Sequence, residues 1–227
     1  MSKNNKPVSV VISTREINDE YLKHVGKMFS HPKTEILIYE NDGSLSLTQV
    51  YNKGLQESKN EIVVFMHDDI ILETTNITPK IIKLFDKHPE HGIIGVAGTD
   101  NLTSGVWWEH RENMFGVVGH LHNNKRHVNH YSKGIYNDKL KDVCVIDGLF
   151  FMVHKERIKK NFNEEFSGFH FYDISFCVDN LLEGVKIGLT TKISLTHKSI
   201  GMPNKQWEKN KLFFEAIYEK HFPLIPN

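Results

Sequence analysis

The chain has 227 residues and a mass of 26.3 kDa, enough to bury a sizeable core as one α/β domain. Lysine plus arginine balance aspartate plus glutamate at 28 each, and the pI is near 7.3, which excludes the basic field of a nucleic-acid binder and any long charged tail. Met1 to Pro7 lacks the apolar core of a signal peptide, and no stretch approaches the ~20 apolar residues of a membrane span, so a soluble, cytoplasmic protein is expected.

The first hundred residues alternate strand-like and helix-like segments. Val8 to Ser13 is a β-branched run that ends in Thr14 and Arg15, and Ile17 to Phe29 carries Tyr21, Leu22, Val25, Met28 and Phe29 at helical spacing. Glu35 to Glu40 reads as a second strand, closed by the turn residues Asn41, Asp42, Gly43 and Ser44. Leu47 to Ser58 is predicted as a helix and Glu61 to Met66 as the third strand. Thr78 and Pro79 open a helix bearing Ile81, Ile82, Leu84 and Phe85, and Ile93 to Ala97 is a fourth strand. Strands separated by helices of this length imply a parallel sheet with right-handed crossovers.

The middle third, residues 98–142, has little periodicity and reads as a long irregular excursion with a short antiparallel ribbon around Met114 to His122. Regularity returns over Asp142 to Ile146, and Leu149 to Val153 follows the turn Asp147-Gly148. Phe171 to Glu183 reads as a helix stopped by Gly184. Lys186 to Thr190 and Ile193 to His197 read as strands, and Gln206 to His221 as a final amphipathic helix. Cys144 and Cys177 both sit in apolar company, which favours two buried thiols over the alternative of a disulfide.

Polar residues cluster where strands end. Ile62 to Met66 is apolar, His67, Asp68 and Asp69 follow at once, and Ile70, Ile71 and Leu72 restore the apolar run. Adjacent carboxylates in such a setting need a cation or hydrogen-bond donors. In a parallel sheet this group shares one edge with Ser13, Thr14 and Arg15 and with Glu40, Asn41 and Asp42, where open α/β sheets bind ligands. Hard oxygen ligands suit magnesium or manganese, ions that commonly carry phosphates. A fourth group surrounds Asp173, which shares a helical stripe with Cys177 and Leu181. At the positive end of the helix dipole it is expected to stay ionised at neutral pH, either as a cap or as a proton acceptor. His197 ends a strand, where it is either a hydrogen-bonded structural residue or a nitrogen ligand for manganese.

This order of features resembles the family-two-like nucleotide-sugar glycosyltransferases of the GT-A fold, most closely their small bacterial branch, over Val8 to about Trp207. Val8 to Ser13 is similar to that family's opening nucleotide-binding strand, and Glu35 to Ser44 to its second strand, where acidic residues meet base and ribose. Asn52 to Ser58 resembles the helix before the metal strand, and Phe65 to Asp69 matches the position of the DxD motif. Phe171 to Ile174 falls where the family carries its catalytic base, and Gly184 to Ile187 follows at the usual interval. The chain departs from the pattern at His67, where a strict DxD has aspartate, and at Tyr172, where the base motif usually has glutamate.

The resemblance implies an α/β GT-A fold, a mostly parallel sheet flanked by helices, in a single domain over residues 1–227. Its nucleotide-binding half would cover about 8–100 and its acceptor half about 101–227. It implies a metal-dependent, inverting hexosyltransferase of polysaccharide biosynthesis that uses Mn or Mg and a nucleotide-diphosphate sugar, by default a UDP-sugar. Asp173 would be the catalytic base, with Asp69 and His197 as metal ligands. Ser13, Thr14, Arg15, Glu40, Asn41, Asp42, Asn52, Asp68, Asp147 and Gly148 would face the donor, and Trp108 and Tyr172 the acceptor. That acceptor would be a glycan or lipid-linked hydroxyl met at the inner face of the membrane. Two alternatives stand beside this reading. His67 and Tyr172 would suit a catalytically silent sugar-nucleotide- or glycan-binding module, and His110, His120, His122, His127 and His130 would suit a zinc or nickel protein.

Overall fold

A computed structural model describes residues 6–122, 125–131, 140–199, 201 and 203–227. In chain order the elements are β1 (Ser9–Thr14), α1 (Asp19–Phe29), β2 (Glu35–Glu40), α2 (Leu47–Glu57), β3 (Ile62–His67) and β4 (Ile70–Leu72). They continue with α3 (Ile77–Lys87), β5 (His91–Gly95), β6 (Ala97–Thr99), β7 (Met114–His122), β8 (Lys125–His130), β9 (Lys141–Val143) and β10 (Val145–Ile146). The chain closes with β11 (Phe150–His154), α4 (Tyr172–Leu182), β12 (Lys186–Leu189), β13 (Leu195–His197) and α5 (Lys205–Tyr218).

Local chemistry explains the helix starts. Asn18 caps α1 by accepting from the Tyr21 N–H, with Asp19 and Glu20 in the first turn. Ser46 and Gln49 form a reciprocal capping box at α2. The helix α4 differs: its cap is Phe171, at φ 67 in the left-handed region, with no side-chain cap bond. A bulky residue in that conformation is costly and needs tertiary support. Phe171 is buried against Trp207 and Phe214.

A seven-stranded sheet has the order β2-β1-β3-β11-β5-β12-β9. The pairs β1–β2, β1–β3 and β5–β12 are parallel, and β11 lies antiparallel between β3 and β5. The sheet is thus mostly but not purely parallel, in a mixed α/β fold. A six-stranded sheet holds β10-β6-β7-β13-β4, with β8 paired to β7. The predicted ribbon around Met114–His122 is present as β7 with β8, but β7 is also an inner strand of this second sheet. The excursion is therefore more regular than its sequence suggests, although residues 123–124 and 132–139 of it lie outside the described residues. Two predicted strands are each cut in two. Val96 separates β5 from β6 and Cys144 separates β9 from β10, and each cut hands the chain from one sheet to the other. A continuous apolar run cannot reveal such a cut, because both halves are buried.

The same hand-over occurs at Asp68-Asp69, between β3 and β4, and in reverse at Asp147-Gly148-Leu149, between β10 and β11. Backbone bonds staple this seam: the His67 N–H donates to the Leu149 carbonyl (3.1 Å), the Asp147 N–H to Ala97 (2.8 Å) and the Lys198 N–H to Asp69 (3.0 Å). Beneath it lies an aromatic core in which Tyr51, Phe65, Phe151, Phe162 and Phe176 pack ring on ring. Both cysteines are free and buried.

Helix α2 lies close on β1 because Gly54 has no side chain; a Cβ there would stand 2.5 Å from Val11 Cγ1. Alanine in a helix interior gains roughly 0.8–1 kcal/mol over glycine. Overpacking a closed core costs about 1–3 kcal/mol. Gly54→Ala is therefore expected to lower the urea midpoint, and a raised midpoint would show that α2 can shift off the sheet without loss.

Candidate functional site

A cavity of ≈ 400 Å³ opens at the carboxyl ends of β1, β2 and β3. Its lining includes Ser13, Thr14 and Arg15 from β1, Asn41 after β2, and His67, Asp68 and Asp69 from β3, with Leu47, Tyr51, Phe169 and Ser199. The parallel register brings this about: Ser13 pairs with Tyr39 on one side and His67 on the other, so the polar residues that end each strand share one edge. The Thr14 hydroxyl donates to Asp68 Oδ2 at 2.7 Å.

Other residues of the expected donor set stand elsewhere. Asn41 reaches the cavity, but its amide holds the following turn, accepting from the Gly43 and Leu45 N–H groups and donating to the Leu45 carbonyl. Glu40 and Asp42 are exposed and are not part of the lining, and Asp42 accepts from the Ser44 N–H. Asn52 binds the Phe162 backbone with both ends of its amide and also donates to Glu164, so its polar atoms pin a distant loop.

At the seam His67, Asp69 and His197 come together, each offering one ligand atom, with all these atoms within 4.8 Å of one another. Asp69 Oδ1 is 3.1 Å from His197 Nε2. Burial acts to raise the Asp69 pKa, but hydrogen bonds from His197 and Ser199 and the charges of His197 and His67 prevail and hold it well below the usual carboxylate range. Burial acts to lower that of His197, but its bond to Asp69 and the charges of Asp69 and Asp147 prevail and raise it. His67 goes the other way, lowered by burial and by His197. One carboxylate with two imidazoles is a donor set that fits a divalent first-row ion. A fourth polar group stands close: the His120 ring centroid is 5.9 Å from that of His197, and its Nδ1 is buried without a hydrogen-bond partner among the described residues. Sequence reasoning named Asp69 and His197, left His67 without a role, and grouped His120 with a histidine-rich loop. The parallel pairing of His197 with His120 across β13 and β7 brings His120 here, and strand pairing has no local signal.

Asp173 lies in the first turn of α4 and accepts from the Gly148 N–H at 2.8 Å. The helix end does not by itself hold it in the usual carboxylate range. Desolvation by burial, then the charge of Asp147, push its pKa up to about 7, against the backbone N–H groups of Ile174 and Gly148. A helix end contributes typically 0.3–1 kcal/mol, less than burying a carboxylate beside another costs. Tyr172 does not face outward: it is buried, and its hydroxyl pairs with His67 Nε2 at 2.6 Å. Gly148 makes room for that hydroxyl, because a Cβ there would collide with it. Asp147 accepts from the Leu149 N–H (3.0 Å), and its charge reaches His67, His197 and Asp173. Trp107 is buried, whereas Trp108 is 40% exposed and packs between Trp107 and Trp207, and Trp207 in turn packs on Phe171.

Comparisons with known proteins bear on the family and the fold. A family model described as "Glycosyltransferase like family" matches residues 8–219. The fold is similar to a crystal structure of GalNAc-T7 with UDP, GalNAc and Mn2+, at TM-score 0.59 and 10% identity, over 94% of this chain and 48% of that one. The chain thus spans about half the length of that neighbour. It is also similar to a crystal structure of A197 from STIV, at TM-score 0.51 and 10% identity, over 86% of each chain. No curated protein matches the sequence.

The raised Asp173 carboxyl has a consequence for stability. Its folded-state pKa of about 7 exceeds the ordinary 3.8, so the native state keeps a proton that the unfolded chain releases. Stability from this group is therefore greatest below about pH 4 and falls as pH rises to about 7, by up to about 4 kcal/mol. Asp173→Asn, which can still accept from Gly148, is expected to melt above wild type at pH 8 and level with it near pH 4. An asparagine variant less stable than wild type at pH 8 would contradict the burial argument.

Proposed function

The chain belongs to the glycosyltransferase-like family whose model spans residues 8–219, and from that premise we propose a divalent-cation-dependent, inverting transferase that moves a sugar from a nucleoside-diphosphate donor to an acceptor hydroxyl. One observation carries this reading. His67 belongs to the His67–Asp69–His197 group and also bonds to Tyr172, the chain neighbour of Asp173. A group that could hold a cation is thus linked, through Tyr172, to the helix turn that carries the Asp173 carboxylate.

Asp69, His67 and His197 would hold the cation, and two imidazoles beside one carboxylate suit manganese better than magnesium. When bound, the ion would supply positive charge to the diphosphate as it leaves. Thr14 fixes Asp68 at the cavity edge, and Ser13 and Arg15 offer further donors for ribose and phosphate oxygens. Uridine is favoured as the donor base by the UDP and Mn2+ named for GalNAc-T7. The acceptor oxygen would attack the anomeric carbon from the face opposite the diphosphate. As the new C–O bond forms and the bond to phosphate breaks, the hydroxyl proton passes to the Asp173 carboxylate. A base with a pKa near 7 is well matched to that transfer at neutral pH.

The exposed face of Trp108, backed by Trp207, would form the acceptor platform, since pyranose faces stack on indole. The acceptor would be a glycan or lipid-linked hydroxyl presented at the inner face of the membrane.

Single-site variants test the two halves of the proposal separately. Asp69→Asn is expected to weaken manganese-dependent binding of UDP by at least about 10-fold, measured by calorimetry. Asp173→Asn is expected to leave that binding within about 2-fold and to reduce turnover by about 10²-fold or more, the usual scale for losing a positioned base. Cation-independent UDP binding by wild type would overturn the metal assignment. Unchanged transfer by the Asp173 variant would remove the base. Donor binding by wild type with neither hydrolysis nor transfer to any acceptor would establish the silent-module reading instead.

A further inference from the structure

Away from the seam, the turn between α3 and β5 reads His88-Pro89-Glu90-His91. His91 opens β5, which runs parallel to β12, so this turn lies at the opposite end of the strand from its hand-over to β6. His91 is 2% exposed. Its Nε2 is 2.8 Å from Asp142 Oδ1, a bond that reaches across the intervening strand β12. Gly188 of β12 leaves space for the ring, because a Cβ there would come within 2.9 Å of His91 Cδ2.

The bond to Asp142 sets the tautomer. A carboxylate can only accept, so Nε2 carries a proton, and Nδ1 is the ring nitrogen left for another partner. That Nδ1 is buried and has no hydrogen-bond partner among the described residues. It faces Glu90 Oε1 at 3.3 Å, and His88 Nδ1 is 3.8 Å from the same oxygen. These three ligand atoms lie within 4.8 Å of one another, and a positive charge among them, a proton on an imidazole or a metal ion, would offset the carboxylate.

We propose that His88, Glu90 and His91 form a second divalent-metal site, selective for zinc, with Asp142 as the residue that orients His91. Ligand atoms about 2.0–2.1 Å from a tetrahedral zinc stand roughly 3.4 Å apart. The separations from Glu90 Oε1 are 3.3 and 3.8 Å, and the two imidazole ligand atoms lie within 4.8 Å of each other, so His88 would close on the other two as the ion binds. Asp142, His91 and the ion would complete the carboxylate–histidine–zinc relay that stiffens such ligands. The turn is already held in place: Arg157 Nη1 donates to the carbonyls of Phe85, His88 and His91 at 3.2–3.3 Å. Glu90 and His88 keep some exposure, which leaves a path for the ion and a water in the fourth position. Bound there, zinc would tie the α3–β5 turn to β9, the edge strand on which the chain re-enters the first sheet.

The test separates this site from the seam. Full-length protein carrying Asp69→Asn and His197→Gln is stripped with chelator and titrated with zinc against a chromophoric indicator. One tightly bound zinc per chain and a higher melting temperature with zinc are expected. Adding His88→Gln and Glu90→Gln, both at accessible positions, should weaken zinc binding by at least about 10²-fold and abolish the thermal shift. Asp142→Asn alone should weaken it by about 10–100-fold. Loss of all tight zinc in the starting variant, or unchanged zinc affinity after the His88 and Glu90 changes, would overturn the proposal. Should the starting variant not fold by circular dichroism, the same additions in wild type must lower the zinc stoichiometry by one, and an unchanged stoichiometry would overturn it equally.

Discussion

Asp68 and Asp69 end a strand whose preceding residues, Ile62 to Met66, are at most 4% exposed. Asp68 stays exposed there, but the half-buried Asp69 carries a desolvation cost unless it finds donors. Much of the architecture follows from that constraint. Asp68 takes the hydroxyl of Thr14, supplied by the neighbouring parallel strand in register. Asp69 draws on His67 of the first sheet for charge, but its hydrogen bonds come from elsewhere. Its partners, His197 and Ser199, come from β13 and the residues just after it, and the second sheet meets the first at this point.

Once the sheets meet, their hand-over segments gather polar residues at the seam. Asp147 is delivered between β10 and β11, close enough for its charge to act on His67, His197 and Asp173. The result is two carboxylates of opposite character. Asp69 is held well below the usual range by histidines, whereas Asp173, desolvated and beside Asp147, is pushed up to about 7. Environments that drive like groups apart are how a fold assigns one to charge and another to proton transfer. The same physics bears on Asp173's cost, because a carboxylate poised to take a proton weakens the fold when it is ionised.

The turn at His88–His91 obeys a related rule at a different edge. There a buried imidazole is oriented by Asp142 across a strand, and Gly188 supplies the clearance. Neither arrangement depends on residues adjacent in sequence. Each depends on strand order, which decides what lies across from a given side chain.

The alternation of apolar runs and helical stripes over residues 8–100, the capping residues and the abrupt polar end of the third strand are local properties. From them the α/β class and the shared edge of Ser13, Thr14, Asn41, Asp68 and Asp69 were legible, because period and propensity act within a few residues. The family resemblance assigned Asn52 to the donor, and could not see that its amide is occupied by Phe162 and Glu164, 110 and 112 residues away in the chain. Local reading also could not see that Val96 and Cys144 divide continuous apolar runs between two sheets, or that Tyr172 turns inward to His67. The sequence by itself determined where strands end and which side chains end them. Only the tertiary structure decided which ends face one another, and with them the protonation of Asp173, since desolvation and charge–charge distance are properties of packed neighbours rather than of any one segment.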